Sequence, residues 1–478
     1  MIDGAASTVA GLVGELAGER PPRYAALAGR IRLLIADGRL AVGIRLPAER
    51  ELASALQLSR TTVTAAYRRL REDGWASARH GAGTWTSLPA GTAYGAWAPA
   101  LPTAGVLDLA HAAPGAPPEI VTAFTAALAD LPRLLPGHGY HPAGLPELRA
   151  RVAQRYTSRG LATTPEQILI TAGALNGITV ALDVLIGPGD RILVEHPSYP
   201  NALDAIRASG ARAVAVAIDA ADPAAAAVAA DVTRVARQTS SRLAYLMPDF
   251  QNPTGLLLDA EQRGRLAAGL HGSGTVALID ETLVELGLDI APAAPFAAFA
   301  RADLAVTVGS LSKAFWGGLR VGWLRAEATL IQRLTAAAVR AQLSGPVLEQ
   351  LAACHLLDSA ETTLLAHRDR LRAQRDALVC ALGAALPSWQ VPVPPGGLVL
   401  WCRLPVPISN ALVDAAQRRG LRLAAGPRFG TGHAFADRLR LPYTQPIDIL
   451  HRAVAILAEV ADSLPATDPG SAPSRLVV

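Results

Sequence analysis

The sequence predicts an α/β protein of two unlike parts, a small helical module near the N-terminus and a large, mainly parallel sheet covered by helices. Three observations predict it. Strand-like apolar runs alternate with amphipathic stretches between residues 167 and 309, the pattern of parallel strands joined by crossover helices. The basic charge is confined to one end: residues 20–88 hold 12 arginines and 5 acidic residues, net +7, so the rest of this +4 chain sums to −3. A length of 478 residues exceeds one ordinary core and implies two or three domains.

Composition excludes several classes. Cys354, Cys380 and Cys402 form no CxxC pair and no metal-ligand spacing, so neither a disulfide framework nor a metal site is expected. The first twenty residues lack a basic stretch ahead of an apolar one, and no apolar run is long enough to span a bilayer. The expectation is a cytoplasmic protein with no membrane partner.

In the basic segment, Leu27, Ile31, Leu34 and Ile35 repeat at helical spacing between Tyr24 and Asp37, with Gly38 as the stop. A short second helix is expected after Pro47 with Leu52, Ala55 and Leu56 inward. Ser59 then caps a third, whose buried stripe is Val63, Ala66, Tyr67 and Leu70. That stripe leaves Arg60, Thr61 and Thr62 on an exposed first turn, where amides and an arginine can meet phosphates and base edges. Trp75 to Ala78 and Thr84 to Ser87 can pair around a turn containing His80 and Gly81. Three helices and a hairpin make a winged helix-turn-helix, placed at residues 20–88.

The motifs Arg45-Leu46-Pro47-Ala48-Glu49-Arg50-Glu51-Leu52, Leu58-Ser59-Arg60-Thr61-Thr62-Val63 and Glu72-Asp73-Gly74-Trp75 resemble the GntR family of bacterial transcription regulators. The resemblance implies contacts to double-stranded operator DNA from Arg45, Arg50, Ser59, Arg60, Thr61, Thr62, His80 and Gly81.

Residues 89–106 are uncharged and rich in Pro, Ala and Gly, and read as a linker. Strands are then expected at Gln167 to Thr171, Arg191 to Glu195, Ala213 to Ile218, Leu243 to Met247, Val276 to Asp280 and Leu304 to Gly309, with the alanine run at 224–230 helical. The tail from Pro465 to Val478, rich in Pro, Ser, Ala and Asp, reads as disordered.

Strand ends are where open α/β sheets place ligands, and here they carry chemistry. Gly173, Ala174 and Leu175 open a helix whose free amides can cradle a phosphate. Asp280 closes a strand as a buried carboxylate needing a cationic partner. Ser310 and Ser312 precede Lys313, and Arg320 follows seven residues later. Lys313 is the only lysine among 43 arginines, and an amine, unlike a guanidinium, can deprotonate and form a Schiff base. These are the needs of pyridoxal 5′-phosphate (PLP): aldehyde to Lys313, ring nitrogen to Asp280, phosphate to Ser310, Ser312, Arg320 and the amides near Ala174.

From Leu107 to about Leu464 these residues resemble the fold-type I aminotransferases, with a large lobe at about 145–325 and a smaller α+β lobe at about 335–464. With the helix-turn-helix in front, the chain resembles the MocR subfamily of GntR regulators. The resemblance implies that Tyr199 stacks on the PLP ring, that Asn252 bonds its hydroxyl, and that Arg440 grips the carboxylate of an amino-acid effector. It also implies a homodimer. Thr282 stands where a tyrosine contact to the ring hydroxyl is usual, Tyr140 lies one residue nearer Gly144 than usual, and Phe315-Trp316-Gly317-Gly318 lacks a common proline. The expected function is a transcription regulator sensing PLP or an amine; an active aminotransferase with a tethering module and a cofactor-free DNA-binding scaffold are the alternatives.

Overall fold

The structure is a computed structural model and describes residues 6–14, 22–36, 40, 44–79, 83–87, 105–218, 225–430 and 434–464. Two compact units are present.

The first contains helices α1 (Ala6–Val13), α2 (Arg23–Ala36), α3 (Glu49–Ala55) and α4 (Arg60–Glu72), then strands β1 (Ala76–Arg79) and β2 (Gly83–Thr86). The expected stripes of α2 and α4 are buried in one core, Leu27, Ile31, Leu34 and Ile35 facing Val63, Ala66, Tyr67 and Leu70. Ser59 caps α4, its Oγ accepting the Thr62 N–H at 3.1 Å. In α3 the buried pair is Leu52 and Ala53, while Ala55, expected inward, is exposed. The reason is α1, a helix outside the expected module, which packs against α3 and inserts Val9 and Val13 into the core. β1 and β2 pair antiparallel, Ala76 opposite Thr86 and Arg79 opposite Gly83. Gly38, His80, Gly81, most of the 89–106 linker and the 465–478 tail lie outside the described residues.

The second unit begins with β3 (Leu107–Asp108), α5 (Glu119–Asp130) and α6 (Pro146–Ser158). There follow β4 (Ile168–Thr171), α7 (Ala174–Leu185), β5 (Arg191–His196), α8 (Pro200–Ala208), β6 (Arg212–Ala217), α9 (Ala225–Thr239) and β7 (Leu243–Leu246). Next come α10 (Ala260–Ser273), β8 (Val276–Asp280), β9 (Ala305–Ser310) and β10 (Gly322–Arg325). Strands β4 to β10 form one sheet in the order β4-β10-β9-β8-β7-β5-β6. All six expected strands are in it, and β6, β5, β7, β8 and β9 run parallel. β10, which the sequence reading lacked, runs antiparallel between β4 and β9. Four residues opened by a glycine carry too little periodicity to announce a strand, yet this one aligns the site: Gly322 is opposite Thr171 on one side and Ser310 on the other.

Beyond the sheet, α11 (Ala328–Gln342), α12 (Val347–Asp358) and the long α13 (Ala360–Ala385) lead to β11 (Val399–Arg403), α14 (Ser409–Arg418), β12 (Leu421–Arg422), β13 (Ala424–Ala425), β14 (Arg438–Pro442) and α15 (Ile447–Ser463). α11 packs on α7 and β4, and α12 on α5. β11, β14 and β13 make a three-stranded antiparallel sheet, and its core includes Leu371, Leu378, Leu400, Leu441, Leu450 and Leu457. β3 pairs in parallel with β12, and Leu109 enters the same core. The stretch after β3 is thereby carried across to the sheet end where Lys313 lies. No helix among the described residues is long and apolar enough to cross a membrane.

Candidate functional site

Lys313 follows β9 by three residues and is partly buried, its Nζ donating to the Ala112 carbonyl at 2.7 Å. Burial above all, with the Arg440 and Arg320 cations and against the pull of Asp280, lowers its pKa to about 8. The sequence-predicted cations and carboxylate are therefore close enough to act on this amine.

Asp280, at the end of β8, is 4% exposed. Two protein donors meet it, a hydroxyl and an amide: Tyr245 donates to Oδ2 at 2.7 Å and the Thr282 N–H to Oδ1 at 3.0 Å. Thr282 thus touches Asp280 through its backbone. Tyr245 lies inside β7, where a buried aromatic reads as core, and sequence reasoning missed it. One lone-pair direction on each carboxylate oxygen remains for a further donor.

The residues expected to cradle a phosphate are neighbours at this end of the sheet. Gly173 caps α7 at φ +88°, a conformation costly for any side chain, and a Cβ there would lie 2.6 Å from Arg320 Nη2. Arg320 donates to the Ala172 carbonyl at 2.7 Å. A Cβ at Gly322 would lie 2.7 Å from the Gly173 carbonyl carbon. The Ser310 hydroxyl donates to Ser312 Oγ at 3.0 Å and accepts the Ser312 N–H at 3.1 Å. Ala174 and Leu175 open α7, with amides that have no intrahelical acceptor.

Arg440, on β14, is 3% exposed; Nη2 donates to the Ala110 carbonyl and Nη1 to Asn252 Oδ1 at 3.5 Å, and the guanidinium lies 4.8 Å from the Phe429 ring centroid. Burial lowers its pKa to about 9, so it stays cationic at neutral pH. Tyr199 precedes α8 and is partly buried, its hydroxyl pKa raised by burial and by Asp280. Tyr140 is 55% exposed, stacked on His138 at 5.5 Å. The carbonyls of Ala110 and Ala112, which meet Arg440 and Lys313, have no side-chain signature and could not have been found by motif.

Behind these turns lies a buried polar pair. Gln251 Nε2 donates to Glu195 Oε2 at 3.1 Å and to the Pro197 carbonyl at 2.8 Å. Burial pushes the Glu195 carboxyl up to about 8.

On the first unit, Arg45, Arg50, Ser59, Arg60 and Thr61 are exposed and Thr62 is partly so. Arg60 Nε lies 3.8 Å from Glu49, and Ser59 Oγ is 2.8 Å from the hydroxyls of both Thr61 and Thr62. The α4 N-terminus is therefore an exposed, capped, cationic end.

Residues 116–455 match the profile of aminotransferase class I and II, and residues 23–85 that of the gntR family of bacterial regulatory proteins. The chain belongs to the aminotransferase class I and II family. A GntR helix-turn-helix in front of that domain gives this aminotransferase-family chain the arrangement of the MocR subfamily. It is similar to YdcR of Escherichia coli, an uncharacterised HTH-type transcriptional regulator, at 29% identity over 87% of this chain and 94% of that one. It is also similar to the HTH-type transcriptional regulator TauR of Rhodobacter capsulatus, at 29% identity over 67% of this chain and 71% of TauR. The crystal structure of LysN, the α-aminoadipate aminotransferase of Thermus thermophilus complexed with N-(5′-phosphopyridoxyl)-L-leucine, matches at TM-score 0.67 and 28% identity, covering 75% of this chain and 92% of LysN. The cofactor of this aminotransferase fold is PLP, and the side-chain-free cradle at Gly173 beside Arg320, together with a buried amine of lowered pKa, fits it.

Proposed function

We propose that this chain is a PLP-dependent transcription regulator that binds operator DNA as a homodimer in the cytoplasm and senses PLP or an amino-acid or amine effector at Lys313. The observation that carries the reading is the buried Lys313 amine, set among Asp280, Arg320 and Arg440, in a chain that also carries an exposed, capped α4 N-terminus. Bound PLP supplies an electron-withdrawing ring conjugated to an amine-accepting aldehyde. The remaining chemistry belongs to this chain. Lys313 offers a partly neutral amine, and Asp280, which accepts a hydrogen bond from Tyr245, would hold a proton on the ring nitrogen. Gly173, Ala174, Leu175, Ser310, Ser312 and Arg320 would hold its phosphate, Tyr199 would pack on its ring, and Asn252 and Thr282 would serve its hydroxyl. Arg440 takes the effector carboxylate.

On DNA, Arg45, Arg50, Ser59, Arg60, Thr61, Thr62, His80 and Gly81 form the contact set, with two copies placing α4 in successive major-groove half-sites. An effector shifts the DNA-bound population only through a difference in its affinity for two conformations. The likeness to LysN supports a second reading, an aminotransferase that uses the N-terminal unit for tethering.

A footprint of the full-length protein on DNA upstream of its gene, with and without PLP and amino acids, tests the first reading. Protection should change with ligand in the wild type and not in Lys313→Ala. Ligand-independent protection together with rapid amino transfer between an amino acid and a keto acid would establish the second.

A further inference from the structure

Gln251 stands between the turns of Tyr199 and Asn252, and none of the roles above uses it. It is fully buried, and its amide fills every hydrogen-bonding position it has. Oε1 accepts the Thr254 N–H at 3.0 Å and the Thr254 hydroxyl at 2.7 Å, and Nε2 donates to the Pro197 carbonyl at 2.8 Å and to Glu195 Oε2 at 3.1 Å. These partners fix which way the amide faces, because a backbone N–H demands the oxygen and a carbonyl demands the nitrogen. Glu195 extends the link, its Oε1 accepting the Met247 N–H at 3.1 Å. The pair thus ties the end of β5 to the segment after β7.

We propose that Gln251 is a positioning residue of the cofactor site, its amide setting the separation between the turn that carries Tyr199 and the turn that carries Asn252. The proposal rests on the reading that those two side chains contact PLP. Pro197 lies two residues before Tyr199, and Gln251 is adjacent to Asn252, so each turn is pinned within about 7 Å of chain from the side chain it presents. The clamp reaches further: the Ser198 N–H donates to the Phe429 carbonyl at 2.8 Å, and Phe429 lies against Arg440, which meets Asn252. No other side chain type reproduces the four bonds. Leucine makes none, and glutamate keeps the Thr254 contacts but turns an acceptor towards Pro197.

The experiment uses the full chain with PLP as the probe. The PLP dissociation constant is measured by absorbance titration, together with the pH midpoint of the bound absorbance band and the urea midpoint of the PLP-free chain. Gln251→Glu should weaken PLP about tenfold, the scale of one buried hydrogen bond, and move the band midpoint by about one pH unit. Thr254→Val preserves shape and removes one of the four bonds, so it should move both readouts the same way by less. It also serves where Gln251→Glu fails to fold. Tyr199→Ala and Asn252→Ala run alongside. Effects from these two, with wild-type affinity and band midpoint in every folded Gln251 or Thr254 variant, overturn the positioning role alone. No effect from Tyr199→Ala or Asn252→Ala overturns the underlying assignment and the proposal with it.

Discussion

Lys313 is set apart by its surroundings. An ordinary lysine titrates near 10.4, so at neutral pH fewer than about one in a thousand is neutral; with burial lowering this one to about 8, roughly a tenth is. Capture of PLP by the cofactor-free chain should therefore accelerate about tenfold per pH unit up to pH 8 and level off above it, as stopped-flow absorbance would record. A rate still rising at pH 10 contradicts the assignment. Because the folded pKa is depressed, the unfolded chain binds more protons between about 8 and 10.5, and the cofactor-free chain gains stability as pH rises across that window. Tyr245 is the second residue to test. Tyr245→Phe removes a hydrogen bond to a buried carboxylate, and PLP affinity should fall about tenfold from a loss of roughly 1.5 kcal/mol. Unchanged affinity would mean that Thr282 orients Asp280 unaided.

Elements bring these residues together through their ends. At the turn between β4 and α7, proposed as the phosphate cradle, Gly173→Ala introduces both a strained backbone and a 2.6 Å approach to Arg320. PLP titration of that variant should show a loss of about five- to 150-fold, since strain of this kind costs roughly 1–3 kcal/mol. Wild-type affinity would remove this turn from the phosphate site. In the first unit, Ser59 holds the opening turn of α4. Ser59→Ala should destabilise that unit by about 1 kcal/mol, seen as a lower melting temperature, and should weaken DNA binding. A variant that melts normally yet loses DNA affinity would assign Ser59 to contact alone.

Over the whole molecule, division into two compact units makes a separate forecast. PLP binds only the second, so at a hundredfold excess over its dissociation constant it should stabilise that unit by about 2.7 kcal/mol and leave the first where it was. Calorimetry with and without PLP should show one transition move. If both move together, the units unfold cooperatively and the effector signal has a direct thermodynamic route to the DNA-binding unit.

The sequence alone determined a great deal. The stripes of α2 and α4, six strands of the large sheet and the turn residues Gly173, Asp280, Ser310, Lys313 and Arg320 were all legible, because periodicity and turn chemistry are local and leave residue types at fixed spacing. Only the tertiary structure decided the rest. It inserted β10 between β4 and β9, placed Tyr245 under Asp280, and brought the carbonyls of Ala110 and Ala112 to Arg440 and Lys313. It also drew Gln251 and Glu195 together across 56 positions of chain. Such contacts join residues distant in sequence, several through backbone atoms that every residue possesses, so no local pattern marks them. The fold alone sets their distances.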